Sequence, residues 1–114
     1  MSTARNYNQV TLLGHLGQEV KSREVNQKKV VHFSLATSEK YTAKDSGEKK
    51  EATEWHEIEA WEGLAEVAEK FLKKGDPVMV VGRLKYDLWE KGEVKMKSAK
   101  ILVDEIILQG SGKE

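Results

Sequence analysis

The chain has 114 residues, with 19 Lys and Arg balanced by 19 Asp and Glu, and no cysteine. That length suits one domain with one core, and the missing thiols exclude disulfides, thiolate catalysis and cysteine-ligated zinc. No apolar run nears the roughly 20 residues that cross a bilayer, and residues 1–7 hold no apolar signal segment, so a soluble, cytoplasmic protein is expected. Residues 8–16 predict a first strand, with Val10, Leu12 and Gly14 on one side and Gln9, Thr11 and Leu13 on the other. Gly14 and Gly17 suggest a bulge or sharp bend there. Residues 30–38 predict a second strand, Val31, Phe33 and Leu35 alternating against His32, Ser34 and Ala36. Residues 40–52 are polar, hold the turn signal Asp45-Ser46-Gly47, and read as the tip of a long hairpin. In the third strand, residues 53–61, Trp55, Glu57, Glu59 and Trp61 share one face and His56, Ile58 and Ala60 the other.

The period then changes. Leu64, Ala65, Val67, Ala68, Phe71 and Leu72 form the stripe of an amphipathic helix, and Phe33 and Phe71 are expected in the core. Lys73 and Lys74 suit the negative end of the helix dipole, Gly75 the left-handed cap position, and Pro77 blocks continuation. Residues 78–86 predict a fourth strand, 87–93 a turn region around Lys91-Gly92, and 94–108 a fifth strand. The domain is expected over 1–109, with a short flexible end at 110–114. Three strands, one helix and two more strands is the element order of an OB-fold: all-β with one short helix, a five-stranded Greek-key barrel with long hairpins.

No catalytic constellation is legible. His15, His32 and His56 lie on different predicted elements without metal-ligand spacing. Glu51, Glu54, Glu57, Glu59, Glu62, Glu66 and Glu69 are spread over a loop, a strand face and a helix, which suits a solvated surface better than a hard-cation site. There is no phosphate loop and no nucleophile turn. The expectation is a non-enzymatic protein with no cofactor and no metal.

The zero net charge hides a pattern. Residues 5–50 carry nine bases and five acids, 51–69 seven acids and no base, and 70–100 nine bases and four acids. Two basic stretches could share a face that attracts a polyanion, although a mixed solvated surface gives the same pattern. The aromatics favour the former. Tyr41 starts a polar hairpin tip, Trp55 and Trp61 share a strand face with Glu57 and Glu59, and Trp89 is expected in a turn. Two unpaired carboxylates are costly to bury, so that strand face is expected to be wet. Exposed rings suit unpaired bases, and Lys44, Lys50, Lys74, Lys85 and Lys97 could track phosphates.

These residues resemble the bacterial single-stranded DNA-binding proteins, the homotetrameric OB-fold type. The matching segments are residues 8–17, Phe33-Ser34-Leu35-Ala36-Thr37-Ser38-Glu39, Thr53-Glu54-Trp55-His56, Leu64-Ala65-Glu66-Val67-Ala68, Lys73-Lys74-Gly75 and Val81-Gly82-Arg83-Leu84, with Trp89 at the expected distance. The resemblance implies base stacking at Tyr41, Trp55, Trp61 and Trp89, and phosphate contacts at Lys44, Lys50, Lys74 and Lys85. It also implies a homotetramer, a dimer of dimers in which the first strand (Asn8, Val10, Leu12) pairs between subunits and His56 lies near a subunit contact. The implied function is protection of single-stranded DNA in replication, recombination and repair, at the nucleoid. Glu57, Gly63 and Asp87 stand where relatives are often basic, so a shallower salt dependence is expected. The family usually carries a long tail with an acidic, hydrophobic tip that recruits replication and repair proteins, whereas this sequence ends Gly110-Ser111-Gly112-Lys113-Glu114. Two other readings compete: an accessory OB-fold replication protein resembling primosomal protein N, acting through protein contacts, and a metal-dependent nuclease using the glutamates. The three tryptophans argue against the first of these, which needs no stacking platforms.

Overall fold

The structure, a computed structural model, describes residues 5–110; residues 111–114 of the expected flexible end lie outside them. Among the described residues, six strands and one helix follow in the order β1 (Val10–Leu16), β2 (Lys21–Val25), β3 (Lys28–Thr42), β4 (Lys49–Trp61), α1 (Glu62–Phe71), β5 (Pro77–Lys91) and β6 (Val94–Leu108). The sheet runs β1-β5-β6-β4-β3-β2, and β1 pairs again with β3, which closes a ring of five strands. The closing contact is short, His15 opposite Ala36 and Leu16 opposite Leu35. β4 meets β6 in parallel at Ile58–Ile101 and Glu59–Leu102, and the other pairings are antiparallel. This is the OB-fold barrel.

The strand outside the ring, β2, has no counterpart in the sequence reading. Four of its five residues are exposed, so it carries no apolar alternation to read. It hairpins onto β3 through Asn26 and Gln27, both at positive φ (50° and 67°), the backbone of a tight two-residue loop whose twist matches the strands.

Leu16, Val31, Phe33, Leu35, Ile58, Ala60, Val78, Val80, Ile101 and Val103 fill the barrel, and Ala65, Ala68 and Leu72 of the helix segment close it. The two alanines let α1 lie close on β3, β4 and β6. Phe71 corrects the expected core: it is 51% exposed, because the buried face centres on Ala65, Ala68 and Leu72 and leaves position 71 at its rim. There the Lys70 ammonium lies 5.4 Å from its ring centre. The helix also ends earlier than predicted. Leu72 is already extended, and Gly75 (φ 91°) belongs to a following turn rather than to the cap. Gly75 N–H donates to the Leu16 carbonyl and Leu16 N–H to that of Asp76, which ties this turn to β1.

The β3–β4 and β5–β6 hairpins extend well past the barrel. The radius of gyration is 16.8 Å, against about 13 Å for a compact chain of this size.

Candidate nucleic-acid interface

Strand alternation on β4 puts Trp55, Glu57, Glu59 and Trp61 on the outer wall, opposite Ala36, Ser34, His32 and Val30 of β3. Trp55 is 63% exposed. Small residues make its seat: Ala36 faces it across the sheet, and the ring lies against Gly17 so closely that a Cβ there would overlap Cζ3. Gly17 is held in place by its N–H bond to the Ser34 carbonyl (2.9 Å) and by Gln18 Nε2 donating to Ser34 Oγ (3.3 Å). Neither Gly14 nor Gly17 has a positive φ. The chain does bend at residues 17 and 18, and what requires glycine at both positions is close approach, to the Trp55 ring at Gly17 and to the Ala36 carbonyl oxygen at Gly14.

Glu59 corrects the expectation of a wholly wet face. It is 4% exposed, beside the exposed Glu57. Burial is tolerable because it is not unpaired. Oε2 accepts from Trp61 Nε1 at 2.6 Å, and Oε1 faces the Lys100 ammonium, which also reaches Asp87 Oδ1 at 3.0 Å. His32 Nε2 is 3.8 Å from Oε1. Burial works against the Lys100 charge, but donation to Glu59 and Asp87 holds its pKa above the ordinary lysine value. Trp61 is half-buried over Val30, which is fully buried. Directly after it the chain enters α1 through Glu62 at φ 54°.

On the β5–β6 arm the register pairs Lys85 with Lys100, Asp87 with Ser98 and Trp89 with Met96 on one face. Because Lys100 reaches Glu59, this is the face that carries Trp55 and Trp61. Trp89 lies in β5, not in a turn: the strand runs to Lys91 and the turn is Gly92 and Glu93. It is 45% exposed, in a groove with Leu88, Glu90, Lys95 and Met96. Lys97 belongs to the opposite face, with its ammonium 4.4 Å from the Tyr86 ring centre, and so does not join Lys85.

Tyr41 lies inside β3, which runs to Thr42, so the tip shrinks to residues 43–48. Tyr41 is exposed and pairs with Lys50. Alternation sets both on the arm face opposite Trp55, in a groove with Lys40, Thr42, Lys49 and Glu51. Lys44 is at the tip, and Lys74 is exposed in the turn after the helix. The structure therefore gathers the three tryptophans and Lys85 on one face and leaves Tyr41, Lys44, Lys50, Lys74 and Lys97 elsewhere.

The β1 residues have mixed placements. Asn8 bonds within the chain, its Nδ2 donating to the Leu84 carbonyl and its Oδ1 accepting from Leu84 N–H, both at 2.9 Å. Val10 and Leu12 pack their side chains on the core, while Thr11, Leu13 and His15 point outward. Since β3 meets β1 at His15 and Leu16 alone, Val10 to Gly14 keep one backbone edge unpaired among the described residues. His56 Nε2 lies 2.8 Å from Thr37 Oγ1 beside that edge.

Sequence reasoning missed Gly17 as the seat of Trp55 and Lys100 as the partner of Glu59. Gly17 signals a bend in the sequence but not the ring that rests on it. Lys100 shows only once the parallel β4–β6 register is known. Among the described residues no group of three or more His, Asp and Glu side chains could hold a metal ion, and no helix is long and apolar enough to cross a membrane.

The family described as "Single-strand binding protein family" matches residues 7–109. The chain is 47% identical over 89 residues to single-stranded DNA-binding protein 1 of Chlorobaculum tepidum, an alignment covering 76% of this chain and 54% of that protein. The chain thus spans about half the length of the curated relative it matches. The solved structure of the Plasmodium falciparum SSB complex with ssDNA matches with a TM-score of 0.83 at 27% identity, over 96% of this chain and 100% of that one.

Proposed function

The chain belongs to the single-strand binding protein family, and we propose that it binds and protects single-stranded DNA with little regard to sequence, without enzymatic activity, during replication, recombination and repair. The observation that carries this reading is the convergence of Trp55, Trp61 and Trp89 on one outer face formed by β4 and the β5–β6 arm. Each ring offers a π surface to an unstacked base, worth roughly 1–3 kcal/mol per base whatever the base. Duplex DNA hides those base faces, so the arrangement selects single strands. Lys85 lies on the same face, and Lys44, Lys50, Lys74 and Lys97 would meet phosphates as the strand passes the arms and the helix turn. Tyr41 would stack a base on the far side of the β3–β4 arm.

The assembly we propose is a homotetramer, a dimer of dimers, acting in the cytoplasm at the nucleoid. The unpaired backbone edge of Val10 to Gly14 supports pairing with the same strand of a second copy, in which Val10 and Leu12 would contribute backbone rather than side chains. Four tryptophan faces would then lie on one particle, and a long strand could wrap it.

Titration with oligo-dT, followed by intrinsic tryptophan emission, tests this. Stacked indoles are expected to be strongly quenched, while duplex of equal length has little effect. Equal quenching by duplex, or none by oligo-dT, would overturn the reading.

A further inference from the structure

Glu59 divides its two carboxylate oxygens between unlike partners. Oε2 takes the Trp61 indole N–H at 2.6 Å. Oε1 is ion-paired with the Lys100 ammonium, which Asp87 shares, with His32 nearby. Lys100 comes from β6 and His32 from β3, and Asp87 of β5 braces Lys100 in turn, so the carboxylate is fixed by the barrel wall and not by the tryptophan it holds. An indole has one N–H and no acceptor, so one bond to a fixed oxygen decides which edge faces the protein. Trp61 is half-buried, so part of the residue stays open to solvent.

Resting on the reading that this face binds single strands, we infer that Glu59 is a positioning residue for base stacking: its buried carboxylate, neutralised by Lys100, holds Trp61 by Nε1–H in the orientation that receives a base. A ring free to turn would be immobilised when the base arrived, and that ordering would be subtracted from affinity. Glu59 orders the ring beforehand. It also gives an acidic residue a constructive place on a face that meets a polyanion, because its charge is cancelled within the wall before any phosphate approaches.

The test is a double-mutant cycle of Glu59→Val and Trp61→Phe, read by oligo-dT affinity. Trp61 emission anisotropy is followed in parallel in a protein whose Trp55 and Trp89 are replaced by Phe. Glu59→Val is expected to weaken binding roughly two- to ten-fold, the cost of immobilising one side chain on association, and to lower the anisotropy of Trp61. In the Trp61→Phe background there is no N–H to hold, and the same change is expected to cost little. Equal losses in both backgrounds would overturn the inference, because Glu59 would then serve the wall and not the ring. If Glu59→Val does not fold, Glu59→Gln keeps an oxygen acceptor, and its affinity and anisotropy are expected to move together. Affinity lost with the ring still held would overturn the inference. A wild-type protein that ignores oligo-dT would overturn the functional reading itself, a result distinct from either.

Discussion

The Trp55 indole rests on Gly17, with Cε3 and Cη2 3.0 and 3.1 Å from where a Cβ on that glycine would stand. A bend at one end of β1 thus sets the height of a ring that β4 carries. Gly17→Ala is expected to push the indole off its seat and weaken oligo-dT binding, while changing stability by less than about 1 kcal/mol, since the backbone there is not left-handed. The same substitution made on Trp55→Ala should have no further effect on binding. Fluorescence anisotropy of labelled oligo-dT, with urea melts of the free proteins, checks both.

Glu62 opens α1 at φ 54°, a left-handed conformation that costs a side-chain-bearing residue about 1–2 kcal/mol. Its ion pair with Lys28 is exposed and 3.8 Å long, so removing it costs little. Glu62→Gly is therefore expected to stabilise the protein by about 1 kcal/mol, read as a higher urea midpoint with an unchanged slope.

Lys29 on β3 and Glu69 on α1 form a surface pair. The hydrogen bond from Lys29 lowers the Glu69 pKa, and that bond raises the Lys29 pKa. The carboxylate's contribution is present above the ordinary value of 4.5 and is lost as pH falls through the lower folded value. The ammonium's is present below 10.5 and is lost as pH rises through the higher folded value. Lys29→Met is expected to flatten both the acid and the alkaline limbs of melting temperature against pH. The difference should be small and should shrink in high salt, as the pair is exposed.

Asp87 holds the Lys100 ammonium at 3.0 Å on the tryptophan face and is itself exposed. Asp87→Asn removes a negative charge there and leaves Lys100 freer to meet phosphate. The slope of log K against log salt for oligo-dT is expected to steepen by about 0.7, the increment for one more phosphate neutralised on a single strand. An unchanged slope would show that Lys100 stays committed to Glu59.

The barrel was legible because its strands alternate cleanly and its helix changes the period, as in Val31-His32-Phe33-Ser34-Leu35 against Leu64, Ala65 and Ala68. β2 was not legible, since a strand exposed on both faces has no pattern to display. The shared face of Trp55 and Trp61 followed from their even spacing along one strand. That Trp89 joins them and Lys97 does not depends on the β5–β6 register, a nonlocal property. Glu59 was misplaced for a related reason. Its burial depends on Lys100, 41 positions away in sequence and adjacent only through the parallel pairing of β4 and β6. Phe71 failed because a helical stripe identifies a face but not its edge.

The two long hairpins have no core beneath them, so nothing inside the barrel constrains their composition or length. Residues beyond Ser38 on one arm and Asp87 on the other can drift, lengthen or shorten without disturbing Phe33 or Ile58. Selection, or an engineer, can therefore retune grip and reach at the extremities while inheriting the foundation unchanged.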